Sequence, residues 1–236
     1  MPDRSRRAVA VVRSAVGTRA RRRLLAVVLL VGLLTAVAVA TATAPAGRTF
    51  AGLTAPVQLV MSVGVPCTGV LLGRDLATQE ARPPVLPSLL GAGLVAAGAA
   101  LVGVLATAGV LGVVGSRAAD PWAGAAAVTL GSVLVQVLAQ LVGTGLGLLI
   151  PSVTLACLST VVLPLGLWAV LGASDALRPA RGWLTPFATT GALLAGRMTA
   201  VAWARWLVVV LLWGVGLNLL GVLRARSERA AGPAAP

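Results

Sequence analysis

Residues 122–173 form a run of 52 positions without a charged side chain. As one continuous helix, this run would be about 78 Å long, whereas the hydrocarbon core of a bilayer is about 30 Å thick. Pro151 lies near the middle of the run, and proline interrupts the hydrogen bonding of a helix interior. The run therefore predicts two membrane-spanning helices joined by a tight turn at Pro151.

The composition of the whole chain supports a membrane protein. The chain has 236 residues, of which 58% are hydrophobic and 11% are charged, and its mean hydropathy is +0.97. A soluble domain has too few interior positions for so many apolar side chains. The predicted fold is an all-α membrane protein with a six-span domain over residues 24–223. The predicted spans lie at about 24–44, 53–73, 89–115, 122–150, 152–173 and 205–223.

The first 23 residues carry eight arginines. At about 100° per residue, Val9, Val12 and Val16 share one helical face. This spacing favours an amphipathic helix at the membrane surface, with its arginines near anionic head groups. Two alternatives stay open: a disordered basic tail, and a signal peptide cleaved near Ala42-Thr43-Ala44.

Arginine placement predicts the orientation. All 19 basic residues are Arg, and the formal net charge is +13. With six spans, 13 arginines lie on the side of the two termini and five on the other side, with Arg205 at a boundary. The positive-inside rule therefore predicts that both termini are cytoplasmic, including the tail 224–236. Because the arginines flank apolar runs, we do not expect nucleic-acid binding.

Missing residue types exclude several chemistries. The chain has no His, which removes HExxH zinc sites and Ser-His dyads. Cys67 and Cys157 lie in apolar runs, where a thiol usually acts as a small apolar side chain. We therefore predict no catalytic, cofactor-binding or metal-binding residues, and an enzyme is the least favoured class.

A compact charged segment interrupts the apolar sequence at 73–84, GRDLATQEARPP. It contains Arg74, Asp75, Glu80 and Arg82 between the second and third predicted spans. The predicted orientation places this segment in the cytoplasm. The simple interpretation is a polar loop such as any two spans need. The alternative is a docking element for a partner protein.

Uncharged polar residues occur inside the predicted spans. Gln136 and Gln140 are four residues apart and share a helical face, Thr144 continues that face, and Asn218 lies in the sixth span. They are predicted either to line a substrate pathway or to form hydrogen bonds between helices. Gly143 and Gly147 form a small-xxx-small pattern, which predicts close helix packing.

The chain shows no sequence signal for a power source of its own. No Asp, Glu, Arg or Lys lies in the core of a predicted span, whereas ion-driven carriers usually need such a residue. GTGLG at 143–147 is no phosphate-binding loop, because it lacks the following Lys and Ser/Thr. If the chain moves a substrate, the energy must come from a partner.

The layout resembles the permease subunits of ABC-2-type ATP-binding-cassette transporters in their compact bacterial form. The stretch GVLLGRDLATQEARPPVLPSLLGAGLVA is similar to the family's second-span exit, coupling loop and third-span entry. LVGTGLGLLIPSVTLA is similar to its span four running into span five. A basic lead-in and a longer segment with re-entrant helices before the last span complete the resemblance.

The resemblance implies a function and partners. The chain would be an exporter subunit in the bacterial plasma membrane, pairing with a second permease chain and with separate ATPase subunits. Arg74, Asp75, Glu80 and Arg82 would then be charged contacts to the ATPase. The alternatives are a non-transporting membrane anchor or assembly protein and, less favoured, a secondary carrier.

Overall fold

The computed structural model describes residues 17–78 and 85–230, with side chains described up to residue 227. Within these ranges the chain folds into helices and short turns, and no strand occurs. The predicted all-helical class is therefore confirmed. The predicted surface helix lies mostly in residues 1–16 and so falls outside the described residues.

Six helices are long and apolar enough to cross a membrane, as predicted. The sixth is a continuous stretch in which a π-helical segment joins two α-helices. Two short helices precede it. In chain order the elements are α1 (Arg19–Ala42), α2 (Phe50–Thr78), α3 (Val85–Val114), α4 (Ala125–Leu149), α5 (Val153–Gly172), α6 (Arg178–Leu184), α7 (Pro186–Leu194), α8 (Ala200–Val209), the π segment (Val210–Gly216) and α9 (Leu217–Ala230).

The helices extend beyond several of the predicted spans. α2 continues to Thr78, so Arg74 and Asp75 belong to its end and not to a loop. α1 begins at Arg19 and includes a basic first turn, with Thr18 as its N-cap. The length of an uncharged run reflects the thickness of the hydrocarbon core that the helix crosses. The helix itself can continue beyond the hydrocarbon as long as its backbone groups stay hydrogen-bonded.

The break between α4 and α5 lies at Pro151. α4 ends at Leu149, and the Ile150 N–H still donates to the Leu146 carbonyl at 2.8 Å. Ser152 then caps α5, because its hydroxyl accepts from the Leu155 N–H at 3.4 Å. Proline between these two residues cannot continue the α4 ladder. The predicted tight turn is therefore present.

At the end of the bundle where α1 and α3 finish, one arginine holds several backbone carbonyls. Arg48 Nε donates to Ala40 O at 3.0 Å and Thr43 O at 2.9 Å, and Nη1 donates to Val114 O at 3.2 Å. A cation at a helix C-terminus satisfies unpaired carbonyls and complements the helix dipole. Arg48 thus fixes the ends of α1 and α3 to each other; we call this the Arg48 end.

α4 occupies the centre of the bundle. It packs against α2 and α3 on one side and against α7 and the sixth long helix on the other. α5 and α1 are the least buried of the long helices, and many of their leucines are exposed on the outside of the bundle; Leu34 and Leu158, for example, are 59% and 56% exposed. Apolar surface this extensive indicates contact with lipid.

The segment between α5 and the sixth long helix contains the short helices α6 and α7. α7 lies in the segment before the last span, where the family resemblance implied re-entrant helices. Leu193 and Leu194 of α7 are buried in the main core cluster, and Trp213 Nε1 donates to Leu184 O at 2.8 Å. α7 is therefore packed against the bundle.

Candidate functional site: the charged end of α2 and the polar network between α2 and α4

The charged end of α2 contacts the beginning of α1. The Arg21 guanidinium forms an ion pair with the Asp75 carboxylate and also donates to Leu71 O at 3.3 Å. The Arg21 side chain is 4% exposed and that of Asp75 is 40% exposed. We call this the Arg21 end of the bundle. The two contacts connect the N-terminal part of α1 to the last turns of α2.

The four residues predicted to contact an ATPase have different positions. Arg74 is half-buried in the last turns of α2, and its carbonyl accepts from the Thr78 hydroxyl at 3.0 Å. Asp75, next to it, is engaged with Arg21. Glu80 and Arg82 lie outside the described residues.

A group of amide and hydroxyl side chains connects the middles of α2, α3 and α4; we call it the polar network. Gln136 Nε2 donates to Gln58 O at 2.8 Å and to Gln58 Oε1 at 3.0 Å. Gln58 Nε2 in turn donates to Ala100 O on α3 at 3.0 Å. Both glutamines are fully buried. Two side chains therefore bond three helices together in an apolar interior.

The polar network continues one turn further along α4. In the amide orientation that satisfies its neighbours, Gln140 donates to Thr68 Oγ1 and Val65 O, both at 2.8 Å, and accepts from Gly69 N at 3.2 Å. The Thr144 hydroxyl donates to Gln140 O at 2.9 Å within α4. All of these side chains are buried.

Asn218 lies on the other side of α4, in α9. Its Nδ2 donates to Leu141 O at 2.8 Å and to Gly214 O at 2.7 Å, so it joins the sixth long helix to α4. The Asn218 Oδ1 atom and the Gln136 Oε1 atom are buried without a hydrogen-bond partner. In the single chain, Gln136, Gln140 and Asn218 form hydrogen bonds between helices; their predicted pathway role stays a prediction.

Glycines allow the backbones of α2 and α4 to touch. A Cβ added at Gly143 would overlap the Pro66 carbonyl oxygen, and one at Gly147 would overlap that of Val70. α2 has the reciprocal pattern, because a Cβ at Gly69 would lie 2.5 Å from Gln140 O and one at Gly73 would overlap Thr144 O. Each helix thus presents two glycines to the other, four residues apart.

Sequence reasoning found the α4 half of this interface and missed the α2 half. The signal was present, because Gly69 and Gly73 have the same spacing as Gly143 and Gly147. Gln58 and Thr68 were missed as well, although both are polar residues inside an apolar run. Arg21 gave no such signal, since its partner lies 54 positions away.

The interior of the bundle contains little that could perform acid–base or metal chemistry. Within residues 17–78 and 85–230, no three His, Cys, Asp or Glu side chains lie close enough to hold a metal ion. Cys67 and Cys157 are free thiols. A cavity of about 80 Å³ lies among α2, α4, α5, α7 and α8, and Ser62, Thr160 and Thr190 contribute hydroxyls to its wall. What the interior offers is hydrogen bonding and close packing.

The fold and these contacts define a class: an all-helical protein with six helices suited to crossing a membrane, held together by paired glycines and buried amides. Comparison with known protein families, curated proteins and solved structures gave no match for this chain.

Proposed function

We propose that this chain is the membrane-spanning permease subunit of an ATP-binding-cassette exporter. Two permease chains would form the substrate pathway, and separate ATPase subunits would supply the energy. The observation that carries the proposal is the contact of Arg21 with Asp75 at the end of α2. This contact joins the first turn of α1 to the last turns of α2, and an ATPase that binds at this end could act on both helices.

The charge distribution supports a partner as the source of energy. Within the described ranges, the charged side chains of the six long helices lie near the helix ends. An ion-driven carrier usually needs an ionisable side chain near the middle of the membrane. The charged residues at the Arg21 end, in contrast, are suited to specific docking with a protein in water.

The proposal includes an orientation and a location. The Arg21 end would face the cytoplasm of a bacterium, with the chain in the plasma membrane, because arginines concentrate there. We expect a reporter enzyme that works only in the cytoplasm to be active when it is fused after Pro84. Activity of a periplasm-dependent reporter at the same position would contradict this orientation.

Co-expression with an ATP-binding-cassette ATPase encoded by a neighbouring gene tests the function. We expect the two chains to copurify and the ATPase rate to rise when the complex is reconstituted. Reversing Glu80 and Arg82 together, or replacing Arg74→Glu, should weaken both effects. Arg117→Glu is the control, because Arg117 is exposed at the opposite end of the bundle. A genome with no such ATPase gene near this one, or equal stimulation by all variants, would contradict the proposal.

A non-transporting anchor or assembly protein is the second candidate. The observation that favours it is the closely packed interior, in which the polar network bonds helices together. The same reconstitution separates the two candidates. An anchor would bind its partner without altering the partner's ATPase rate.

A further inference from the structure

A long apolar groove opens on the side of the bundle between α3 and the sixth long helix. Its volume is about 860 Å³, within the range of ligand-binding pockets. Residues 85–97 of α3 form one wall, residues 214–222 form the other, and Val137 and Leu141 of α4 form the floor. The groove is therefore made by three helices and does not overlap the α2–α4 interface.

Apart from one residue, the side chains that line the groove are apolar. Asn218 is the polar residue among those lining it, and the Asn218 amide group donates to Leu141 O and Gly214 O. Because of these two hydrogen bonds, the Asn218 amide N–H groups face the protein interior and not the groove. Small residues widen the groove, since a Cβ added at Gly93 would meet only Val137 Cγ1, at 4.0 Å.

The length of the groove matches one leaflet of a bilayer. The twelve steps from Val85 to Ala97 correspond to about 18 Å along α3 at 1.5 Å per residue. The hydrocarbon core is about 30 Å thick, so one leaflet contributes about 15 Å. A transmembrane helix of a second copy would need a groove along the whole core, whereas an acyl chain needs half of it.

A cation lies at the mouth of the groove. Arg226 is exposed and follows Val222 by four residues, so it lies one turn beyond the groove on the same face of α9. This position is at the Arg21 end, where α3 begins and α9 approaches its last turns. An arginine near the membrane surface attracts anionic lipid head groups by about 1 kcal/mol.

We propose that the groove binds one acyl chain of an anionic phospholipid of the surrounding bilayer, with the net negative charge of its head group at Arg226. The apolar walls favour an acyl chain, and the length of the groove matches a lipid of one leaflet. The positive charge of Arg226 at the mouth favours an anionic head group. This site is independent of the proposed transport function, because it requires only that the chain resides in a bilayer.

Photocrosslinking tests the site directly. The full chain is placed in phosphatidylcholine vesicles containing a phosphatidylglycerol with a photoreactive group in its acyl chain, and labelled peptides are mapped by mass spectrometry. We expect label to concentrate on peptides from α3 and α9. Equal labelling of the lipid-facing leucines of α1 and α5 would show that the groove is ordinary lipid-facing surface and would overturn the proposal. Crosslinks between two protein chains through the groove would overturn it in favour of a second copy.

Two variant pairs test the chain and the head group separately. Gly93→Leu should fill the groove and reduce its labelling about tenfold, a change of about 1.4 kcal/mol. Gly98→Leu is the matched control on α3, because nothing lies within 4 Å of a Cβ there. Arg226→Ala should reduce labelling by phosphatidylglycerol about fivefold, and labelling by an equivalent phosphatidylcholine probe should stay unchanged.

Arg117→Ala serves as the control for the charge, and circular dichroism establishes that each variant is folded. If Gly93→Leu does not fold, Arg226→Ala still decides the proposal, because its side chain is exposed. Equal labelling of the wild type and the Arg226→Ala variant by the anionic probe would overturn the proposed head-group contact.

Discussion

Arg21 and Asp75 are 54 positions apart in the chain and form an ion pair at the Arg21 end of the bundle. Because the Arg21 side chain is 4% exposed, the removal of Asp75 would leave a buried cation with fewer partners. We predict that Asp75→Ala lowers the free energy of unfolding by about 1–3 kcal/mol, measured in detergent by thermal or chemical denaturation.

Arg19→Ala, which removes an exposed charge near the same end of α1, is the control. Arg19 lies two positions before Arg21 on the same helix. We expect it to change stability by less than about 0.5 kcal/mol. Equal effects of Arg19→Ala and Asp75→Ala would mean that the ion pair does not stabilise the bundle.

The paired glycines of α2 and α4 predict a strong dependence on side-chain size. Gly143→Ala should destabilise the protein by about 1–3 kcal/mol, because the added methyl group would overlap the Pro66 carbonyl and push the helices apart. Gly98→Ala should have the opposite sign, a gain of about 0.5–1 kcal/mol, because its Cβ meets nothing and alanine favours the helix. Parallel denaturation of the two variants checks the signs, and a stabilising effect of Gly143→Ala would contradict the interface.

The buried glutamines predict a measurable coupling between α2 and α4. Gln136→Met should cost about 1 kcal/mol, because it removes the donor to Gln58 O and Oε1. A double-mutant cycle with Gln58→Met gives the interaction energy of the pair. Additive effects of the two substitutions would show that the hydrogen bond contributes nothing to stability.

Arg48 predicts a loss of order at the opposite end of the bundle. Arg48→Ala leaves carbonyls at the ends of α1 and α3 without their donor, so we expect a loss of about 1–2 kcal/mol. Hydrogen exchange should increase near Ala40 and Val114 more than elsewhere. Arg48→Lys should restore only part of the stability, because an ammonium lacks the guanidinium's divergent donors. Unchanged exchange in Arg48→Ala would contradict this role.

The sequence predicted what depends on local pattern. The six long helices, the break at Pro151 and the shared face of Gln136 and Gln140 on α4 follow from composition, backbone chemistry and helical periodicity. The extension of α2 through Arg74 and Asp75 was missed, because charge marks the edge of the hydrocarbon and not the end of a helix.

What depends on pairing between distant segments could not be predicted in the same way. Arg21 is one of eight arginines among the first 23 residues, and its partners Leu71 and Asp75 lie 50 and 54 positions away in the chain. The contact of Gly69 and Gly73 with α4 required knowledge of which two helices are neighbours.

The π segment at Val210–Gly216 has a consequence for the whole sixth helix. The buried face of the first half includes Trp206, Val209 and, inside the π segment, Trp213. From Gly214, also inside the segment, the buried face continues through Asn218 and Gly221 to Ala225. An uninterrupted α-helix would instead continue from Trp213 through Leu217 and Leu220 to Arg224. The wider turn shifts the inward-facing side by one residue. The two halves of the sixth helix therefore bury faces that are offset by about 100°, so one helical periodicity taken across both halves shows a weaker amphipathic pattern than either half alone.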